Sequence, residues 1–486
     1  MKRHFTMVIL LIFIFTICLS CAKTPEKADN QTGDIVQSHS DTESEAAIPD
    51  IPDQKYDGYL FNIASTSENT TFDIWRFDYE EQTGEVVEDA FFTRNMNIEE
   101  RHDIKFAAHT VSLAQITKTI NANDEAYDIV FERASLLPST ISGGYMLDLE
   151  SIPYLDLSWG FWDQNSINDL SVFNKIFMAA GDIHLSSFDC TWTLYFDKML
   201  VDEYNLDNPY DLIDKNEWTI DKFTDLCKLV SSDLDGNSKM DVNDFWGFST
   251  HQGTYPGLMI AMGEKFISKD AEGVPQLSMN TDKFYQAYLK ALKLMHEDDA
   301  TYEQIAKMGS FSQNQQCDIF IEDRAVFFSE VMNIITTMLR NKGNDYGVIP
   351  WPKYDTAQER YNNYVNESAA MLVIPKTASD TERTGIIVQD LAYESSKTVR
   401  EAYYEIAIVD KYSRDEKMSE MMDIIFANRT YELAFVYGWG GFSGAFYTLC
   451  VKNTVDLASF IAKHEEKVVK NIETFGTNIE KNLLEG

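Results

Sequence analysis

The feature that most constrains the fold is a strand-prone stretch near the middle of the chain, from Phe177 to Lys198. Gly181 and Asp182 separate two apolar runs, and the second run has an apolar side chain at every second position. A helix-like segment follows at once. We interpret this stretch as the point where the chain leaves one lobe and enters another, so that a cleft lies between them. The alternating residues are Phe188, Cys190, Trp192, Leu194 and Phe196.

Strand-like and helix-like segments alternate in the first part of the body. Strand-like runs begin at Tyr59, Ile104 and Tyr127, with helix-prone residues between them. This alternation predicts an α/β lobe with a largely parallel sheet. In such sheets ligands bind beyond the carboxyl ends of the strands, where Glu132 and Arg133 would lie.

Residues 1–21 are typical of the signal peptide of an exported protein. They combine a basic start with an apolar run from Met7 to Leu19, which is short for a membrane span. Cys21 resembles the lipidated cysteine of a bacterial lipoprotein, although Cys18 stands where that motif usually has leucine. An ordinary signal peptide cut near Ala22 is the alternative. Residues 22–56 are polar and poor in aromatic side chains, which predicts a disordered tether.

Charge and cysteine spacing exclude several classes of protein. The chain has 78 acidic and 41 basic residues, a formal net charge of -37, which repels the phosphates of nucleic acids. We therefore expect no nucleic-acid partner. The four cysteines of the body, Cys190, Cys227, Cys317 and Cys450, are widely spaced and indicate neither a zinc site nor a disulfide scaffold.

Sequence motifs of common enzyme classes are absent. There is no Gly-x-Ser-x-Gly elbow, phosphate loop, dinucleotide fingerprint or His-Glu-x-x-His helix. With so many carboxylates, pairs at the spacing found in glycosidases arise by chance, so carboxylates alone are no evidence for hydrolysis. Aromatic residues do recur beside acidic or amide residues, a combination that suits the apolar faces and hydroxyl edges of sugars. For any single Trp, packing in a core is the alternative.

Several motifs occur in a fixed order along the body. They include Tyr127-Asp-Ile-Val-Phe131, Ile152-Pro-Tyr-Leu-Asp-Leu157, Asp189-x-Thr-Trp192, Tyr346-Gly-Val-Ile-Pro350 and Trp439-Gly-Gly441. In this order the chain, from about Tyr59 onward, resembles the family 1-like extracellular solute-binding proteins of bacterial ABC importers for sugars and oligosaccharides. The resemblance implies a two-lobe α/β fold of the periplasmic-binding-protein type II, with crossing strands and a ligand cleft between the lobes. The implied lobes are residues 57–185 with 353–404, and residues 186–352 with 405–486.

The resemblance also implies which residues line the cleft. Two follow a strand of the first lobe, two lie at the first crossing, and one follows the strand at Gly247. A proline-flanked Trp at the second crossing is expected to be rigid and partly exposed. In chain order the residues are Glu132, Arg133, Asp189, Trp192, Tyr255, Trp351, Glu367 and Trp439.

The leading hypothesis is a lipid-anchored, monomeric binding protein on the extracellular face of the membrane, or on the periplasmic side if there are two membranes. It would bind a carbohydrate, most simply an oligosaccharide, and deliver it to the permease of an ABC importer. It would not be an enzyme. The alternatives are an exported carbohydrate-active enzyme and a sensory module for a membrane receptor.

A further motif, from Asp233 to Asp244, has the spacing of a twelve-residue calcium loop. Ser238 replaces the usual glycine at position 6, and Asp244 replaces the usual glutamate at position 12. A solvated acidic turn is the alternative. We expect a structural Ca²⁺, with oxygen ligands from Asp233, Asp235, Asn237, Lys239 (its carbonyl), Asp241 and Asp244.

Overall fold

The computed structural model describes residues 48–66, 77, 79–308, 314–404 and 416–485. Residues 49–486 form one compact unit, and residues 1–48 form a second, of which only Ile48 is described. Cys21, the predicted signal peptide and most of the predicted tether therefore lie outside the described residues. Among the described helices, none is both long and apolar enough to cross a membrane.

The strands are short and are spread over the whole described chain. In chain order they are β1 (Tyr59–Ser65), β2 (Ile104–Thr110), β3 (Ile129–Arg133), β4 (Trp192–Asp197), β5 (Trp246–Thr250), β6 (Ile267–Lys269), β7 (Pro275–Leu277), β8 (Thr301–Glu303), β9 (Ala325–Val331), β10 (Tyr346–Ile349), β11 (Asn363–Tyr364), β12 (Ala370–Val373) and β13 (Arg429–Thr430).

Helices fill the intervals between the strands. Those before β8 are α1 (Val86–His102), α2 (Leu113–Asn121), α3 (Pro138–Ser142), α4 (Gln164–Leu170), α5 (Ser186–Asp189), α6 (Lys198–Glu203), α7 (Pro209–Asp214), α8 (Ile220–Lys228), α9 (Thr254–Ala261) and α10 (Asp282–His296). Those after it are α11 (Gln304–Met308), α12 (Gln315–Ile321), α13 (Ile334–Thr337), α14 (Thr381–Lys397), α15 (Val399–Tyr404), α16 (Glu416–Ala427), α17 (Leu433–Tyr437), α18 (Phe442–Val451) and α19 (Leu457–Glu485).

The first sheet has the strand order β12-β3-β1-β2. β1 runs parallel to both β2 and β3, with Ile63 opposite Ile129, which confirms the predicted parallel sheet. β12 returns antiparallel at the edge beside β3. The apolar run at Ile129 to Phe131 is fully buried because helices cover the sheet, as expected for parallel strands.

The second sheet has the strand order β10-β4-β9-β5-β8. β5 is parallel to β8 and β9, and β4 is antiparallel to β9 and β10. The predicted strand from Phe188 is wrong at its start. Ser186–Asp189 instead form α5, whose turn is closed by a hydrogen bond from Cys190 N to Ser186 O of 2.9 Å. All six residues of β4 are buried, so this strand is covered on both faces.

Short connecting segments join the two sheets side by side. The segment before β4 is tied to the segment after β9, where Asn333 N donates to Asp189 O over 3.1 Å. It is also tied to the segment before β12, where Asn366 N donates to Cys190 O over 2.9 Å. These crossings lie at the predicted passage between the lobes, whose first part is helix rather than strand.

The amphipathic helices follow the sequence closely. α10 has buried apolar residues at helical spacing, and its N-cap is Thr281, whose side chain accepts from Phe284 N over 3.1 Å. α8 begins in the same way at Thr219. Both caps satisfy amide groups that the first helical turn leaves without partners.

Candidate ligand-binding site

In each sheet the carboxyl ends of the parallel strands meet along one edge. In the first sheet this edge holds the carboxyl ends of β1, β2 and β3, and in the second it holds those of β5, β8 and β9. The crossings leave from these same edges, because β9 ends at Val331, β4 begins at Trp192 and β12 begins at Ala370. Side chains at the strand ends are therefore placed to converge on a ligand.

At the edge of the first sheet, Glu132 is a buried carboxylate at the end of β3. Its Oε1 accepts from Thr66 Oγ1 over 2.9 Å and from the backbone N of Arg133 over 2.7 Å. Arg133 is half-buried. The structure thus places both predicted residues at the strand end, with Glu132 held in one orientation.

At the edge of the second sheet, Trp192 packs against His251, with ring centroids 5.2 Å apart. His251 Nε2 lies 3.0 Å from Glu330 Oε2. Trp192 is only 2% exposed, and within the described part of the chain its buried Nε1 has no hydrogen-bond partner. A close approach by Gly253 confines the indole, since a Cβ there would lie 2.6 Å from Trp192 Cζ2.

Glu367 lies in the crossing between β11 and β12 and is half-buried. Its carboxylate accepts a hydrogen bond from the Tyr364 hydroxyl, and its carbonyl accepts from Ser135 N over 3.0 Å. Burial raises the pKa of Glu367, although the bond from Tyr364 opposes this. Burial, with the nearby charge of Glu367, raises the pKa of Tyr447 well above its usual range. These three side chains form a polar cluster beside the first sheet.

Tyr255 is a core residue rather than an exposed ring. It is buried in α9, and its hydroxyl lies 2.8 Å from Nε2 of His296, which is 2.9 Å from the carbonyl oxygen of Cys450. Burial raises the pKa of Tyr255 and lowers that of His296, so both side chains are neutral near pH 7.

The expected partial exposure of Trp351 is wrong. Its side chain is 0% exposed, because α9 covers it at Gly257 and its backbone N donates to Asn363 Oδ1 over 3.2 Å. Trp439 is also buried, with its ring stacked on Tyr437 at 4.6 Å. Prolines beside Trp351 limit the backbone but do not determine what packs against the ring.

Asp189 lies within the hinge region rather than on an open surface. It is buried at the end of α5, and its Oδ1 accepts from the Tyr403 hydroxyl over 3.0 Å. This bond, together with the bond from Asn333 N to the Asp189 carbonyl, holds Asp189 between the crossings.

The structure therefore places Glu132 and Arg133 at the carboxyl end of β3, Trp192 at the start of β4 and Glu367 in the crossing before β12. Trp192 and Glu132 are buried, as are the other four predicted residues, Asp189, Tyr255, Trp351 and Trp439. Sequence reasoning missed several polar neighbours of this group. One of them, His251, could have been identified from the sequence, because it directly follows a strand. The sequence around Glu330 and Tyr447 does not indicate a binding site, since only contacts between distant segments bring these residues close to the others. The residues missed are His251, Glu330, Tyr364 and Tyr447.

Three carboxylates of the predicted calcium loop lie close together. One oxygen from each of Asp233, Asp235 and Asp244 lies within 4.8 Å of the others. Asp241 is not in this group, and its Oδ1 accepts from Asn243 N over 2.9 Å. Three of the predicted carboxylates thus converge as a cation site needs, whereas the fourth turns away.

The backbone of this loop has the expected special conformation. Ser238 has φ of 65°, the left-handed region that glycine usually occupies. Its N donates to Asp233 Oδ2 over 2.7 Å, and this bond is the main cause of the lowered pKa of Asp233. Met240 packs against the core cluster of the second sheet. The loop is therefore already organised around its first carboxylate.

Comparison with known proteins reveals the fold. No family model and no curated protein matches the sequence. Among solved structures, a cyclic α-maltosyl-1,6-maltose binding protein from Arthrobacter globiformis is 13% identical, with 88% of this chain and 100% of that chain covered and a TM-score of 0.55. A cyclo/maltodextrin-binding protein solved with maltotetraose is 11% identical, with coverages of 88% and 98% and a TM-score of 0.55.

A third similar structure is the ligand-free form of RafE from Streptococcus pneumoniae, 13% identical, with coverages of 88% and 98% and a TM-score of 0.54. This chain has their two-lobe fold. The two sheets and their crossings correspond to that architecture, as the sequence motifs implied.

Proposed function

We propose that this protein is an extracellular solute-binding protein that captures a carbohydrate between its two lobes and releases it unchanged. The observation that carries the proposal is the pair of sheets joined by short crossings, with aromatic and polar side chains at their strand ends. Trp192 with His251 lies on one edge, and Glu132 with Arg133 lies on the other. An aromatic ring with polar side chains around it suits the mixed apolar and hydroxyl surface of a sugar.

The lobes are assigned as residues 57–185 with 353–404, and residues 186–352 with 405–486. The likeness to oligosaccharide-binding structures supports an oligosaccharide as the ligand. We further propose that the protein is a monomer, anchored through a lipid on Cys21, and that it delivers the sugar to the permease of an ABC importer. The polar tether would hold the binding body away from the membrane.

A thermal-shift screen tests the ligand class. Maltotetraose, raffinose-type sugars and cyclic glucans would be compared with a matched set of amino acids and dipeptides. A ligand that binds only the native state raises the melting temperature as its concentration rises. We expect this increase with at least one oligosaccharide. Stabilisation by amino acids or dipeptides alone would contradict the proposal.

We also propose that the loop at 233–244 binds Ca²⁺ as a structural ion. The convergence of Asp233, Asp235 and Asp244 supports it, because three carboxylates so close together repel one another without a cation. Oxygen ligands of this kind suit Ca²⁺. The ion would stabilise the loop beside the second sheet and would take no part in sugar binding.

A further inference from the structure

Residues 49–58, which we call the stem, lead from the predicted tether into β1 and lie against the end of α1. Two backbone hydrogen bonds hold the stem there. Tyr56 N donates to His102 O over 2.9 Å, and Gly58 N donates to Asp103 O over 2.8 Å. The stem is therefore docked on the body.

A lysine of the stem also closes the end of this helix. Lys55 Nζ donates to the carbonyl oxygen of Glu100 over 3.1 Å, and it donates to that of Arg101 as well. Carbonyl groups in the last turn of a helix lack partners within the helix, and the helix dipole favours a cation beside them. Docking of the stem thus stabilises α1.

The side chain of His102 connects the stem to α14. It is 0% exposed, and each of its ring nitrogens lies beside an oxygen atom. Nδ1 lies 2.9 Å from the carbonyl oxygen of Gln54, and Nε2 lies 2.8 Å from Asp390 Oδ2. A carbonyl and a carboxylate only accept hydrogen bonds, so both bonds form only when both ring nitrogens carry a proton. The geometry therefore fits the imidazolium form of His102.

The charged groups around the ring fit the same form. Asp390 also accepts from Arg101 Nη1, and Arg101 Nη2 lies 3.3 Å from Glu394 Oε2. The ring of Tyr56 is the nearest titratable group of the stem, at 6.3 Å, and burial raises its pKa, so it is uncharged near pH 7. Among these described residues, two cations face two carboxylates when His102 is protonated, and one cation faces two when it is neutral.

Loss of the proton breaks this arrangement. Neutral His102 keeps its remaining proton on Nε2, because the carboxylate of Asp390 is the stronger acceptor. The lone pair of Nδ1 then faces those of the Gln54 carbonyl oxygen at 2.9 Å. Since the ring is buried, water does not replace the lost bond, and the repulsion is relieved when the stem moves away from α1.

We propose that the stem is a pH-sensitive latch, docked on α1 while His102 is protonated and released when His102 is neutral. Histidine is the side chain that changes charge between about pH 5 and 8. A released stem would add up to roughly 30 Å to the link in front of β1. The body would then reach farther from the membrane, a consequence that rests on the proposed lipid anchor at Cys21, whereas the latch itself does not.

Hydrogen–deuterium exchange of the full chain tests the latch. Exchange rates are divided by the intrinsic rates at each pH, so that they report protection alone. We expect the amides of Tyr56 and Gly58 to lose at least tenfold protection between about pH 5.5 and 8, while the amides of α10 change much less. His102→Gln has no ring proton to lose, so its stem should show no such drop. His109→Gln, at a half-buried histidine of β2, should keep the wild-type drop.

A second measurement keeps the test decisive if His102→Gln fails to fold. Nitrogen–proton correlation spectra of the wild-type imidazole groups show which ring nitrogens of His102 carry a proton. We expect both at about pH 5.5, and Nε2 alone at about pH 8. The proposal is overturned if the wild-type stem keeps its protection at the higher pH, if a folded His102→Gln variant shows the wild-type drop, or if the stem stays docked when Nδ1 carries no proton.

Discussion

The indole of Trp192 and the imidazole of His251 lie with their centroids 5.2 Å apart, although 58 residues separate them. Trp192 begins one strand of the second sheet and His251 follows another. His251 is in turn held by Glu330 at 3.0 Å. Antiparallel and parallel pairing through β9 thus brings a buried indole and a half-buried imidazole together at the strand ends, next to where we propose that a sugar binds.

Moving these two rings should weaken sugar binding. In Gly253→Ala the new Cβ would lie 2.6 Å from Trp192 Cζ2 and 2.8 Å from His251 Cε1, so the rings must shift. We expect about tenfold weaker binding of the stabilising glycan, or ~1.4 kcal/mol, measured by calorimetry. Gly160→Ala is the control, because no atom lies within 4 Å of its new Cβ. Equal affinity for the glycan in both variants would show that Trp192 is not part of the binding site.

The buried position of Trp351 leads to a prediction about stability. Trp351→Ala should lower the free energy of unfolding by about 3 to 5 kcal/mol, because it leaves a large cavity under α9. Urea denaturation measures the loss. Trp159 is a half-buried ring stacked on Phe161, so Trp159→Ala should lower the free energy of unfolding clearly less than Trp351→Ala does. A loss below about 1 kcal/mol for Trp351→Ala would show that the ring is not part of the core.

The sequence predicted where helices and strands lie better than it predicted what packs against them. The alternation of strand-like and helix-like runs located the parallel strands of the first sheet, because such runs reflect local geometry. It failed at α5, where buried polar residues form a helical turn inside an apolar stretch. Alternation also could not show that β4 is covered on both faces, since burial depends on elements far away in the chain.

The candidate site was predicted in part for the same reason. Glu132 and Arg133 could be placed at a strand end because the sequence of β3 is recognisable, and their part in ligand binding stays a prediction. Trp351 and Trp439 were expected to face a ligand, but the helices that bury them come from other parts of the chain. Asp233, Asp235 and Asp244 of the acidic loop lie close together because their arrangement is local, and the bound Ca²⁺ stays a prediction.

Glu432 should make stability depend on pH. Its buried carboxylate accepts from the backbone N of Phe266, Ile267 and Ala434, yet burial raises its pKa from 4.5 to about 7. The folded state therefore holds the proton more tightly than the unfolded state. This stabilisation is fully present below about pH 4.5 and is lost as the pH rises through about 7.

We expect the free energy of unfolding to fall by up to about 3 kcal/mol between pH 4.5 and 8 through this group. Glu432→Gln cannot ionise, so it should show a smaller fall over this range, even if its stability is lower throughout. Urea denaturation at several pH values measures the slope. Glu359→Gln, at an exposed position, should keep the wild-type slope. An unchanged slope in Glu432→Gln would contradict the prediction.

Removal of Ca²⁺ should destabilise the protein. Adding EGTA should lower the melting temperature of the wild type, because the converging carboxylates lose their cation. Asp235→Ala should abolish this sensitivity, whereas Asp202→Ala, at an exposed position outside the loop, should keep it. If EGTA leaves the wild-type melting temperature unchanged, the loop does not depend on the ion.

Small-angle X-ray scattering with and without the stabilising oligosaccharide tests the central claim most directly. A ligand held between two hinged lobes should bring them together, so the radius of gyration should fall on binding. The sugar should be recovered chemically unchanged from the same sample. An unchanged radius of gyration at saturating oligosaccharide would contradict binding between the lobes, and recovery of cleaved sugar would favour an enzyme.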